Sequence, residues 1–296
     1  MSVNSSQVVP DNPGKAILVT GSSSGIGADC ALHMTCLGYR VFAGVRKEAD
    51  GQALQAKANS SFLVPVIIDV TKADSIKTAF ETINIILGSE KLAGLVNNAG
   101  IVKYGPWEFI TLKDLRLQME VNFFGQVVVT QTFLPLLRQE GGRIVNISSV
   151  SGRAAMPFLG PYAVSKAALE AYSDSLRLEL RRLGIYVSII QPGSIATPIW
   201  EKTLSGYEAW RDNLPPEVYE RYGRYIDQLR LRVINSTSRR APVGLVSRAI
   251  AHALTSKYPK PRYVVGNDAS LALLALRLAP DRLRDWFIAR MLRLDD

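Results

Sequence analysis

Histidine and cysteine are scarce in this chain of 296 residues, with two of each. Cys30 and Cys36 fall six positions apart in one predicted helix. At about 100° per residue they sit on different faces, so they share neither a disulfide nor a metal and read as buried structural thiols. His33 and His252 are too few for a metal cluster and read as packing or surface residues. No Gly-x-Ser-x-Gly elbow surrounds Ser149, and neither histidine has a sequence reason to approach it, which sets aside a serine hydrolase. Long apolar runs are absent too. The longest uncharged stretches are 121–137, carrying Asn122, Gln126 and Gln131, and 183–200, broken by Pro192 and Gly193. Neither offers the ~20 apolar residues of a spanning helix.

No linker, low-complexity tract or internal repeat divides the chain, so a single domain over 15–296 is expected. Residues 1–14 are polar and turn-rich, which reads as a disordered tail rather than a signal peptide, and the expected location is cytoplasmic. The formal charge is +9. Arginines at 211–248 and 277–293 supply much of it, and no nucleic-acid motif accompanies them. Such charge is either a solvated surface or an attraction for an anionic cofactor, substrate or membrane face.

What is present is ordinary globular material, 47% hydrophobic and 21% charged. Short β-branched runs at 16–20, 40–45, 64–69, 94–97, 143–147, 186–191 and 262–265 read as strands. Helical stretches at 25–37, 73–87, 112–137, 162–183 and 243–255 separate most of them. Apolar strands alternating with helices predict an α/β fold, a doubly wound (Rossmann) domain with a seven-stranded, mostly parallel sheet and helices on both faces. Pro65 sits early in its run and is expected to start that strand. Residues 199–240 break the rhythm with Trp200, Tyr207, Trp210, Tyr219, Tyr222 and Tyr225, which suits a helical substrate lid or a helical excursion without a role. Residues 269–296 mix leucines with arginines around Pro280, a helical tail that either packs on protein or rests on a membrane surface.

The first strand ends in Thr20-Gly21-Ser22-Ser23-Ser24-Gly25-Ile26-Gly27 and enters a helix. Glycines in that context permit a tight turn and let a pyrophosphate approach backbone N–H groups at a helix N-terminus. The second strand ends at Val45 and is followed by Arg46 and Lys47, so no acid awaits the ribose hydroxyls. A guanidinium there favours NADP, while Glu48 and Asp50 keep NAD as the alternative. Asp69-Val70 after the third strand and Asn97-Asn98-Ala99-Gly100 after the fourth suit either adenosine contacts or strand-end structure.

Tyr162 and Lys166 lie one helical turn apart and project from one face. A neighbouring ammonium lowers the pKa of a phenol, making Tyr162 a general acid/base. Ser149 follows the strand 143–147, placed to hold a substrate oxygen beside the phenol. Asn122 is a poor helix former inside a helix and is placed to hold a water that relays protons to Lys166.

With these residues the chain resembles the short-chain dehydrogenases/reductases, in the simple branch marked by Thr-Gly-x-x-x-Gly-x-Gly. The resemblance covers about 15–266 and includes Pro192-Gly193 and Thr197. It implies an Asn122–Ser149–Tyr162–Lys166 tetrad, with Lys166 also on the nicotinamide ribose and Pro192, Gly193 and Thr197 against the carboxamide. Phe42-Ala43-Gly44-Val45-Arg46, Thr197-Pro198-Ile199-Trp200 and the tail after Arg262 are similar to members acting on retinoids, hydroxysteroids and comparable apolar alcohols. The implied partner is an apolar alcohol or carbonyl compound, and the implied assembly a homodimer or homotetramer pairing the helices 112–137 and 162–183. A catalytically silent nucleotide sensor or scaffold of the same fold is the alternative.

Overall fold

The computed structural model describes residues 14–139, 141–199, 215–235, 240–266 and 279–292. Residues 1–13 of the expected N-terminal tail, the lid residues Trp200, Tyr207 and Trp210, and the tail stretch 269–278 lie outside them. Strands β1 (Lys15–Val19), β2 (Arg40–Val45), β3 (Leu63–Ile67), β4 (Lys91–Asn97), β5 (Arg143–Ile147), β6 (Tyr186–Pro192) and β7 (Arg262–Val265) form one sheet in the order β3-β2-β1-β4-β5-β6-β7. Every strand pairing is parallel. The helices are α1 (Gly25–Cys36), α2 (Glu48–Ala58), α3 (Ala73–Leu87), α4 (Leu112–Met119), α5 (Gly125–Leu137), α6 (Gly160–Leu180), α7 (Pro216–Asn235), α8 (Gly244–Thr255) and α9 (Asp281–Leu292).

Alternation along the strands explains the layering. Ala16 and Leu18 face one core with Ile83 of α3, Phe133 of α5 and Leu176 of α6. Ile17 and Val19 face the other, with Met34 of α1 and Ile250 of α8. With apolar side chains needed on both faces, the strands read as continuous hydrophobic runs. The strand order reverses between β1 and β4, which opens a crevice at their carboxyl ends.

Four expectations are corrected. Pro65 does not start its strand; it lies inside β3 and pairs with Ala43. β3 is an edge strand, where a missing N–H costs no ladder bond. The helix expected over 112–137 is interrupted by a π-helical turn, Glu120–Phe124, which carries Asn122. Helix α2 was not anticipated, because only Gly51 and Leu54 of its residues are buried and its apolar pattern is correspondingly faint. Cys30 is buried, but Cys36, at the end of α1, is exposed.

Candidate active site

The glycine turn stands at the crevice. Gly21 (φ +68°) and Gly25 (φ +58°) adopt left-handed backbone that other residues rarely tolerate. A Cβ on Gly27 would lie 2.3 Å from the Gly21 carbonyl oxygen, so α1 packs against the turn at a distance only glycine allows. Ser24 is the N-cap of α1 without a side-chain hydrogen bond, which leaves the first-turn N–H groups of Gly25, Ile26 and Gly27 without that cap. Thr197, on the loop after β6, sits over Gly25, its Cβ 3.4 Å from where a Gly25 Cβ would be. A helix N-terminus at the carboxyl ends of β1 and β4, opened by glycines that add no side chains of their own, fits a pyrophosphate.

Three polar residues expected to touch a cofactor turn their side chains inward instead. The Thr20 hydroxyl donates to the Val96 carbonyl (3.3 Å) and accepts from the amides of Asn98 and Ala99 (3.0 and 3.1 Å). The Ser22 hydroxyl donates to the Val19 carbonyl at 2.8 Å. The Asn97 amide donates to Thr130 and Asn146 (2.8 and 2.9 Å), joining β4, β5 and α5. These strand-end side chains are fully buried and bond inside the protein, Asn97 through its amide nitrogen, so they shape the crevice rather than line it. Ala99 backs the turn, its Cα 2.8 Å from where a Gly21 Cβ would sit, and Gly100 is exposed beside Asn122.

Arg46 is exposed at the end of β2, and Asp69 stands partly buried after the neighbouring β3. Burial alone would raise the Asp69 carboxyl. Hydrogen bonds from the Thr71 hydroxyl and amide, with Lys72 and Arg46 nearby, hold it below the usual carboxylate range. Val70 is buried, and its carbonyl would lie 2.4 Å from a Gly125 Cβ, so it seats the start of α5. Pro192 closes β6 opposite Val265, and the Gly193 amide donates to the Val265 carbonyl at 2.9 Å.

The first turns of α6 carry the reacting groups. Ser149 lies beside the Tyr162 phenol, and its hydroxyl accepts from the Ser151 amide at 3.1 Å. The Lys166 ammonium is buried, donates to the Ile147 carbonyl at 2.7 Å and lies 5.8 Å from the Tyr162 ring centroid. Burial pushes it down to about 8, against the opposing pull of Glu170. Burial also raises the Tyr162 phenol, and the neighbouring Ser149 hydroxyl only partly offsets this. The expectation that Lys166 lowers that value is therefore not met by the protein's own groups: the ammonium is directed at a carbonyl and the phenol is desolvated.

Asn122 is fully buried, and its amide is engaged. Its oxygen accepts from the Ile101 amide (2.9 Å), and its nitrogen donates to the Ile101 carbonyl (3.0 Å) and the Ser165 hydroxyl (3.1 Å). The side chain ties the loop after β4 to α6 between Tyr162 and Lys166.

The family profile of the short chain dehydrogenases matches residues 15–208. The chain belongs to this family. It is accordingly an oxidoreductase acting on CH–OH groups. An NADPH-dependent 3-dehydrocapnine reductase of Ornithobacterium rhinotracheale is 36% identical over 277 residues, covering 90% of this chain and 94% of its own length. Retinol dehydrogenase 16 of Mus musculus is 38% identical over 284 residues (94% and 89%). The 17-beta-hydroxysteroid dehydrogenase type 6 of Homo sapiens is 36% identical over 293 residues (96% and 90%). A solved short-chain dehydrogenase from Streptomyces avermitilis superposes with a TM-score of 0.75 at 26% identity, covering 97% of this chain and all of its own. Another, from Burkholderia cenocepacia in complex with NADP, has a TM-score of 0.68 at 25% identity, with coverages of 94% and 96%.

In this short-chain dehydrogenase, α7 reaches over the turn that precedes α4. The Tyr222 hydroxyl donates to Glu108 at 2.8 Å, and Arg221 pairs with the same carboxylate at 2.7 Å. The Tyr222 ring packs edge-on against Phe109 and Phe158 (centroids 6.1 and 6.3 Å). Phe158 precedes α6 and holds positive φ (+67°), an unusual backbone for a bulky residue. Of this group only Tyr222 was singled out from the sequence; Phe109, Phe158 and Glu108 were not, because meeting α7 depends on contacts across the chain, such as those of Glu108 with residues 113 and 114 positions away.

Glu170 was missed as well. It is buried on α6, one turn beyond Lys166, and bonds to Gln191, Arg153 and Arg262. A detectable signal existed: Tyr162, Lys166 and Glu170 follow one another at four-residue spacing, on the stripe that also buries Ser173.

Proposed function

We propose that this chain is an NADP(H)-dependent oxidoreductase that interconverts an apolar primary or secondary alcohol and its aldehyde or ketone, of the retinoid or steroid class. One observation carries this reading: the buried Lys166 ammonium lies 5.8 Å from the Tyr162 ring on the same helical face, with Ser149 beside the phenol. Relatives named as retinol and hydroxysteroid dehydrogenases support the substrate class, as does the aromatic cluster of Phe109, Phe158 and Tyr222. A relative named as NADPH-dependent and a structural neighbour solved with NADP support the cofactor, together with the exposed Arg46.

The first turn of α1 would hold the pyrophosphate, Arg46 the 2′-phosphate, and the loop from Pro192 to Thr197 the nicotinamide end. The bound nicotinamide supplies or accepts the hydride and, when oxidised, carries a positive charge. The protein's own groups do the remaining work. Ser149 and Tyr162 donate hydrogen bonds to the carbonyl oxygen and polarise it. Tyr162, with its pKa raised, is protonated at neutral pH and is the acid that delivers a proton to that oxygen during reduction. Lys166 stabilises the phenolate left behind, and Asn122 fixes the loop and helix against each other.

A screen with NADPH over steroid ketones, retinal and short aliphatic ketones tests the proposal. Higher kcat/KM is expected for the apolar ring and isoprenoid carbonyls, and no turnover across the panel contradicts it. Arg46→Gly is expected to lower the preference for NADPH over NADH roughly 10–100-fold, since hydrogen bonds to a charged group contribute about 1.5–3 kcal/mol. The change belongs in KM for NADPH; an unaltered ratio of kcat/KM for the two nucleotides excludes Arg46 as the phosphate ligand.

A further inference from the structure

Glu170 is a carboxylate buried where an apolar side chain would cost less. Burying an ionised carboxyl is unfavourable unless its charge and lone pairs are met. Here Oε1 accepts from Gln191 Nε2 at 2.9 Å, and Oε2 accepts from Arg153 Nε at 3.2 Å and Arg262 Nε at 3.0 Å. Arg262 also reaches Asp174 at 2.5 Å, and Asp174 pairs with Arg177 at 2.6 Å. The charged groups around Glu170 are thus Lys166, Asp174 and Arg177 on α6, Arg153 beyond the turn Val150–Gly152, and Arg262 on β7, with neutral Gln191 from β6.

A neutral glutamine could keep most of these bonds, since Arg262 retains Asp174. Lys166 is different. It is desolvated and bonded to a neutral carbonyl oxygen, and Glu170 is the acid one turn along the same helix.

We propose that Glu170 is an electrostatic positioning residue: its buried carboxylate keeps the Lys166 ammonium charged, while its bonds clamp the Ser149 loop and the end of β6 onto the helix that carries Tyr162 and Lys166. Each bond serves this role. Arg153 lies four residues beyond Ser149, and Gln191 immediately precedes Pro192. Burial brings Lys166 down to about 8, and the Glu170 charge is what resists a further fall. The inference deepens the proposed function and rests on Lys166 as its catalytic cation.

The sign of the effect is fixed. Protonated Lys166 is the form that supports reduction, so the rate falls as pH rises through its pKa. Removing a nearby negative charge lowers that pKa, and removing a positive charge that offsets Glu170 raises it. The test is a pH titration of side-chain-labelled lysines by heteronuclear NMR on the full chain without nucleotide, with the Lys166 signal assigned by its loss in Lys166→Met. The pH–rate profile of carbonyl reduction is recorded alongside.

Glu170→Gln is expected to move the Lys166 midpoint and the alkaline limb of the profile down together by about one pH unit. Glu170→Asp, which keeps the charge, should restore both toward wild type. Arg153→Gln should move both up, and it carries the test if Glu170→Gln does not fold. Midpoints unmoved in the folded variants overturn the proposal, as does a pH-independent loss of kcat with the limb in place, the mark of a purely structural strut. A shifted midpoint with an unshifted limb instead removes Lys166 from the catalytic reading and leaves its coupling to Glu170 standing.

Discussion

Tyr162→Phe is expected to reduce turnover by about 10²–10⁴-fold, the usual contribution of a positioned general acid, while NADPH binds nearly as tightly as to wild type. The substitution removes one oxygen, the one beside Ser149. The Ser149 hydroxyl keeps its bond from the Ser151 amide, Lys166 keeps the Ile147 carbonyl, and the glycine turn lies on a different segment. Nothing that would hold the nucleotide phosphates is touched. The loss should therefore fall on kcat with KM for NADPH largely unchanged, the signature of an interaction made in the transition state alone. Steady-state kinetics and a nucleotide titration check both halves. Turnover near the wild-type value would remove Tyr162 from the mechanism, and weakened nucleotide binding in step with turnover would assign it to binding.

Gly27→Ala acts on the other half of the site. The added carbon would stand 2.3 Å from the Gly21 carbonyl oxygen and 2.5 Å from Asn98 Nδ2. Neither neighbour is free to yield. Asn98 Nδ2 already donates to the carbonyls of Thr20 (2.9 Å) and Gly21 (3.1 Å), and the Ser22 amide is bonded to the Gly44 carbonyl at 2.8 Å. Relief requires lifting the start of α1 off the turn, at a cost of about 1–3 kcal/mol in stability, as for other overpacked sites. The same movement displaces the first-turn N–H groups of α1. NADPH affinity is expected to fall by about 100-fold, the scale of a 1 Å misplacement, and Tm to drop by several degrees. Calorimetric titration and a thermal melt read these effects. Gly244→Ala is the control: its Cβ would meet nothing closer than Arg248 Nη1 at 3.7 Å, so both quantities should hold. Wild-type affinity in Gly27→Ala would contradict the phosphate-binding assignment of the turn.

Much of this architecture was legible because its signals are local. Apolar strands separated by helical stretches imply a parallel sheet whichever side chains fill it, and the glycine spacing at 21, 25 and 27 carries its own steric logic. The inward or outward aim of a short polar side chain at a strand end is not local. Thr20, Ser22 and Asn97 satisfy neighbours across β1, β4 and β5, partners that only the assembled sheet provides. The protonation behaviour of Tyr162 is of the same kind. A four-residue spacing places the ammonium on the right face, but the Ile147 carbonyl that claims its proton belongs to a strand 19 residues earlier. The π-helical turn at Asn122 has no compositional mark, although the polarity of that residue in an apolar stretch did signal a structural demand.

The central claim is that this chain moves hydride between nicotinamide and a carbonyl carbon while Tyr162 moves the proton. NADPH deuterated on the transferring face of its C4, incubated with the full-length protein and a steroid ketone or retinal turned over in the screen, tests it most directly when the product is analysed by mass spectrometry. The account expects the alcohol to carry one deuterium on its carbinol carbon in the wild type and essentially none to form in Tyr162→Phe. An alcohol without the label, or equal labelled product from both proteins, would contradict it.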